Sequence, residues 1–120
     1  MTATLVAFAP DLMDRSKIGA AAEALGLATR FVSSATGAAR ALAELDRSEG
    51  PIVVVVDLAR AGALDVVGPA AAAGATVLAF GSHVDTDVLT AARAAGCDRV
   101  LARSAFFGRL ADELTAATET

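Results

Sequence analysis

Short apolar runs punctuate the chain at Thr4–Ala9, Ile52–Val56, Thr76–Phe80 and Arg99–Ala102, with a weaker one at Ala28–Val32. They do not alternate apolar with polar residues, as a strand with one wet face would. Near-continuous runs of this kind suit strands buried on both faces, as in a parallel sheet.

Patterns at helical spacing lie between the runs. Leu12–Leu25 places Ile18, Ala21, Ala22 and Leu25 on one face and runs into Gly26, a residue suited to the left-handed turn after a helix. Ser34 or Thr36 is placed to cap a second helix, with Ala38, Leu42 and Leu45 inward. The third pattern, Leu64–Ala73, is poor because Gly68-Pro69 interrupts it. Asp85 or Thr86 is placed to cap a fourth, with Val88, Leu89, Ala92 and Ala95 inward and Gly96 closing it. Phe107, Leu110 and Leu114 stripe the last one.

Strand and helix therefore alternate five times, without a linker or repeat. The alternation predicts an α/β fold of three layers (α/β/α), an open parallel sheet with right-handed crossovers and helices on both faces. For a single domain over residues 1–120, the flavodoxin-like strand order 2-1-3-4-5 is expected. Ligands of such sheets sit outside the carboxyl ends of the strands, at the switch point between strands 1 and 3. The stretch PIVVVVDLAR puts Asp57 there, at the mouth of the third strand.

Composition narrows the function classes. Hydrophobic residues make up 55% of the 120, so the chain can build a core without disulfides or metals. The net charge is −4 and Lys17 is the only lysine, which argues against a nucleic-acid surface, since phosphate binding needs concentrated Lys and Arg. The lone Cys97 forms no internal disulfide and reads as a small packing residue. The start MTATLVAFAPD lacks a basic segment, and no apolar run approaches the length of a membrane span. The expectation is a soluble, cytoplasmic domain without membrane or nucleic-acid partners. No Gly-rich phosphate loop, HExxH, GxSxG elbow or Cys/His metal spacing occurs, so the chain is expected not to be an enzyme.

VVVVD ending strand 3, VLAFGS for strand 4, AARAAGCDRVLARS from helix 4 into strand 5, and LADEL in the last helix together resemble a response-regulator receiver domain of two-component signalling. The resemblance spans nearly the whole chain. It implies a phosphoacceptor aspartate after strand 3, two acidic residues after strand 1 that hold Mg²⁺, a Thr or Ser ending strand 4, a Lys ending strand 5, and an aromatic residue within strand 5.

Carried over by position, the match is partial. Asp57 falls on the phosphoacceptor. The acidic pair falls on Ala9 and Pro10, with Asp11 one residue late. The hydroxyl position falls on Gly81, with Ser82 one later and His83 following in the same loop. Arg103 falls on the Lys, Ser104 on its usual following Pro, and Val100 on the aromatic residue. Phosphoryl transfer depends on positioning and charge neutralisation, and Mg²⁺ wants carboxylate oxygens that Ala9 and Pro10 do not supply.

The resemblance with these departures implies a degenerate pseudo-receiver. Such a module would interact with protein partners, possess no cofactor, and form a homodimer through helix 4, strand 5 and helix 5. Two alternatives stay open: a working phosphorelay receiver with Mg²⁺ between Asp11 and Asp57, and an anion or small-molecule sensor using Arg103, Ser82 and His83.

Each residue also has a structural reading. Asp57 can end the strand and pair with Arg103; Asp11 and Asp14 can be first-turn acids of the first helix; His83 can be a solvated loop residue. Two specific expectations follow. Arg103 reaches across Gly81 to Asp57, directly or through a water. Phe106 and Phe107, about 100° apart on a helix, face different ways, so one of them joins an exposed apolar patch.

Overall fold

The computed structural model describes residues 2–119. The elements run β1 (Thr4–Phe8), α1 (Leu12–Ala24), β2 (Ala28–Val32), α2 (Ala35–Glu44), β3 (Ile52–Asp57), α3 (Ala63–Ala72), β4 (Thr76–Gly81), α4 (Thr86–Ala95), β5 (Arg99–Ala102), α5 (Arg103–Gly108) and α6 (Leu110–Thr118), with a short 3₁₀ turn at Arg47–Glu49. The sheet is parallel throughout, in the order β2-β1-β3-β4-β5. This is the expected flavodoxin-like architecture.

Strand parity divides the core in two. Val6, Phe8, Val54, Val56, Val77 and Ala79 face α2, α3 and α4, represented by Ala38, Ala41, Val66, Val67, Ala70 and Ala92. Leu5, Ala7, Val53, Val55, Leu78 and Phe80 face α1, α5 and α6, where Ile18, Ala22, Phe106, Leu110 and Leu114 pack. Every residue of β3 is buried, which is why its sequence shows no alternation.

Three local expectations need correction. The third helix is not broken at Gly68-Pro69: α3 runs straight through Pro69. Pro69 is exposed, and burial of Ala63, Val66, Val67 and Ala70 offsets the hydrogen bond that proline cannot donate. The last helix is two: the backbone leaves the helical region at Arg109, with φ −131°, so α5 and α6 meet at an angle. Leu25 is not inward but exposed, lying just past the end of α1. Gly96 closes α4 as expected, with φ +117°. A Cβ there would come within 2.9 Å of the Ala71 Cβ, so glycine also permits the close approach of α3.

Candidate functional site

Asp57 ends β3 with the same parity as Val53 and Val55, so its side chain points to the α1/α5 side, beside Phe80 on β4. The residue is 2% exposed. Its Oδ1 accepts the Ala59 N–H at 3.0 Å, and the Nε of Arg60 lies 3.5 Å from its Oδ2. A buried carboxylate requires such compensation, and here the residues immediately following it in the chain provide it.

Arg103 does not pair with Asp57, which corrects the expectation above. Its Nη2 donates to Oδ1 of Asp14. Arg103 opens α5, and its guanidinium lies over the rings of Phe80 and Phe107, at 5.3 and 5.1 Å from their centroids. That route leads to α1, where Asp14 is 1% exposed on the inward stripe Asp14, Ile18, Ala22. Gly81 has the opposite parity: a Cβ there would meet Leu58 and Leu89, on the other side of the sheet. Its lack of a side chain therefore opens no path between Arg103 and Asp57. The bond to Asp14, followed by the nearby charges of Asp14, Asp57 and Asp11, holds the Arg103 guanidinium above its ordinary pKa despite partial desolvation. Asp57 thus acts on Arg103 through space, not by contact.

Asp11 caps α1. Its Oδ1 accepts the Asp14 N–H at 3.0 Å, and this bond holds its carboxyl below the usual range. Ala9 is fully buried without a polar atom to offer, and Pro10 adds none. Among the described residues no three His, Cys, Asp or Glu side chains converge on a point that could hold a metal. The residues present do not fit the Mg²⁺ centre that the receiver fold implies.

A cleft of 430 Å³ opens at the strand mouth, lined by Asp57, Ala59, Gly81, Ser82, His83, Arg103 and Ser104. It brings together five of the six residues singled out from the sequence; Asp11 is the one left out. Ser82 and His83 are exposed, with the Ser82 Oγ accepting the Val84 N–H at 3.4 Å. Sequence reasoning passed over Asp14 as a partner, and Arg60 entirely. The signal for Asp14 was present: it stands four residues before Ile18 and eight before Ala22, on a stripe that has to be buried.

The expected exposed phenylalanine is absent. Phe106 is fully buried and stacks on Phe80 with centroids 4.9 Å apart. Phe107 meets both rings edge-on at 5.1 Å, and Arg103 and Lys17 cover its outer side. The ring of Phe80 is broad enough to receive both neighbours despite their angular separation. Among the described residues, the large apolar ones that are exposed are Leu12, Met13, Leu25, Leu64 and Val84. All but Leu25 lie where a strand's carboxyl end leads into the next helix, around the mouth of the sheet.

No family model matches the chain, and no curated protein matches it. Solved structures do. A response regulator from Thermotoga maritima superposes with a TM-score of 0.80 at 15% identity, over 100% of both chains. A response regulator from Burkholderia pseudomallei, with a phosphorylated aspartic acid, calcium ion and citrate, gives 0.76 at 18% identity over 100% of this chain and 68% of that one. The receiver domain of a Francisella response regulator gives 0.76 at 15% identity, over 99% and 98%. The chain has the fold of response-regulator receiver domains.

Proposed function

We propose that the chain is a non-catalytic signalling module of the pseudo-receiver type, which works through protein contacts and does not take a phosphoryl group by the Mg²⁺-dependent route. The carrying observation is that the carboxylates at the strand mouth are closed by arginines of the same chain, Asp57 on Arg60 and Asp14 on Arg103. Two further features support it. Leu58 and Leu89 fill the space beside Gly81, where a receiver's hydroxyl would project, and Val100 stands at the aromatic position. The module works in the cytoplasm, and its partners are proteins, including a second copy docked through α4, β5 and the last helical pattern, α5 with α6. The exposed Leu12, Met13, Leu64 and Val84 add a second contact face at the mouth.

The test is mass spectrometry after incubation with acetyl phosphate and Mg²⁺. The unmodified mass is expected. A single adduct of about 80 Da that disappears in Asp57→Asn would restore the phosphoaccepting reading. Sedimentation at tens of micromolar tests self-association; a monomer throughout removes the homodimer.

The cleft supports a second reading, a sensor of small anions through Arg103, Ser82 and His83. It is the weaker one, because Arg103 is already bound to a carboxylate and Asp57 lines the same cleft with another.

A further inference from the structure

Around the mouth of the sheet, apolar residues and carboxylates sit side by side. Asp11 precedes Leu12 and Met13 after β1, Leu64 precedes Asp65 after β3, and Val84 precedes Asp85 after β4. Those three strands are neighbours in the sheet, so at about 4.8 Å per strand the three groups span roughly 10 Å. That is about the width of one helix. The helix dipole favours acids in a first turn, which accounts for the carboxylates but not for the apolar residues set beside them. Leu12, Met13 and Val84 are 79%, 70% and 74% exposed, and Leu64 41%. Exposed apolar residues grouped inside a polar rim mark a binding surface.

The charge of this surface is one-sided. Among the described residues, Asp11, Asp65, Asp85 and Asp87 stand in no ion pair. The arginines nearest the mouth are already engaged: Arg15 donates from Nε to the Ala9 carbonyl at 3.1 Å, Arg60 lies on Asp57, and Arg103 on Asp14. We propose that the mouth docks a basic amphipathic helix of a partner protein, its apolar stripe on Leu12, Met13, Leu64 and Val84 and its flanking Lys or Arg on Asp11, Asp65 and Asp85. The inference rests on the reading above that the partners are proteins, and it names their chemistry at this face. Apolar anchors at i, i+3, i+4 and i+7 of a helix form a stripe that such a patch can take. The adjoining cleft of 430 Å³ gives one partner side chain room to enter. A second copy is the wrong occupant. The chain carries −4, and none of its helices of eight residues or more has more basic than acidic side chains. Nucleic acid and anionic lipid share the sign of the unpaired carboxylates and are repelled.

Fluorescence anisotropy with two labelled helical peptides tests this, one built of Leu and Lys with the leucines on one face, the other with Glu in place of Lys. The Lys peptide is expected to bind and the Glu peptide not to. Leu12→Ser with Met13→Ser should weaken binding about tenfold or more. Asp65→Asn with Asp85→Asn should weaken it about threefold to tenfold and leave the remainder less sensitive to salt. All four side chains are exposed, and Asp85 makes no capping bond, so these variants should keep the native Tm. Asp46→Asn with Glu49→Gln removes two exposed acids just before β3, at the opposite edge of the sheet, and should leave the affinity unchanged. Native affinity in the mouth variants, an equal loss in that control, or equal binding of the Glu peptide would overturn the proposal. So would a native dimer that Leu12→Ser with Met13→Ser dissociates, because a second copy would then cover the patch. A phosphoryl adduct on Asp57 would instead strike the pseudo-receiver reading, and mass spectrometry reads it without touching the anisotropy result.

Discussion

Arg103→Ala is expected to destabilise the domain by about 2–3 kcal/mol, a figure built from two contributions. A hydrogen bond to a charged group contributes about 1.5–3 kcal/mol, and removing one partner of a buried pair costs more still. Asp14 is buried, but 49% of the Arg103 side chain is exposed, so water can reach part of the vacated space. That places this contribution at the low end, about 1–2 kcal/mol. The guanidinium also covers Phe80 and Phe107, which adds about 1 kcal/mol at a partly exposed site. For a chain of 120 residues, with about 2.1 cal/mol/K of unfolding entropy per residue, each kcal/mol corresponds to about 4 °C. The expected fall in Tm is about 8–12 °C. Urea unfolding and calorimetry on the native protein, Arg103→Ala, Asp14→Asn and the double variant close a thermodynamic cycle, with an expected coupling of about 1–2 kcal/mol. Replacing both partners by apolar residues, Asp14→Leu with Arg103→Met, should recover most of the loss, because no uncompensated charge remains. A coupling indistinguishable from zero, or a loss under about 0.5 kcal/mol for Arg103→Ala, would refute the account of this pair.

Gly81→Thr, which restores the hydroxyl that receivers carry, should cost about 1–3 kcal/mol, because its Cβ lands 3.3 Å from Leu58 and 3.4 Å from Leu89; a denaturation midpoint equal to native would show that the two leucines yield freely. Burial, with Asp98 beside it, pushes the Cys97 thiol up to about 11 from an ordinary 9.0. Alkylation by iodoacetamide near pH 8 should therefore run about 100-fold slower than for an open thiol, and a rate equal to that of a model peptide contradicts this. The bond from the Asp14 N–H lowers the pKa of Asp11 from 3.8, so its contribution to the start of α1 is fully present above that value. It is lost as pH falls through the lower folded value. Carbon chemical shifts should show Asp11 titrating below 3.8, and Asp11→Asn should remove the acid sensitivity of the first turn while keeping the cap.

The five strands, their parallel order and the position of Asp57 at a strand mouth were legible in the sequence, since β3 is apolar at every residue before Asp57 and Gly26 and Gly96 mark two helix ends. Period and turn chemistry are local, and a strand buried on both faces announces itself by lacking alternation. The gathering of Asp57, Gly81, Ser82, His83 and Arg103 around one cleft also followed, because strand order fixes which loops are neighbours. Local reasoning went wrong at Pro69 and at Arg109. Burial of four α3 residues carried the helix through the proline, and the break between α5 and α6 carries no proline or strong breaker in the sequence beyond Gly108.

Partner choice among charges belonged to the tertiary structure. Asp57 and Arg103 stand at the ends of β3 and β5, one strand apart across β4, and spacing alone joined them. The fold instead gave Asp57 to Arg60, three residues on, and drew Arg103 across two aromatic rings to Asp14, 89 residues away in the chain. Side-chain direction decides such pairings. Strand parity turned Gly81 to the opposite side of the sheet, and helix periodicity turned Asp14 inward. A sequence fixes those two periods element by element, but which arginine answers a buried carboxylate is settled only when strand, helix and loop are set at their mutual distances.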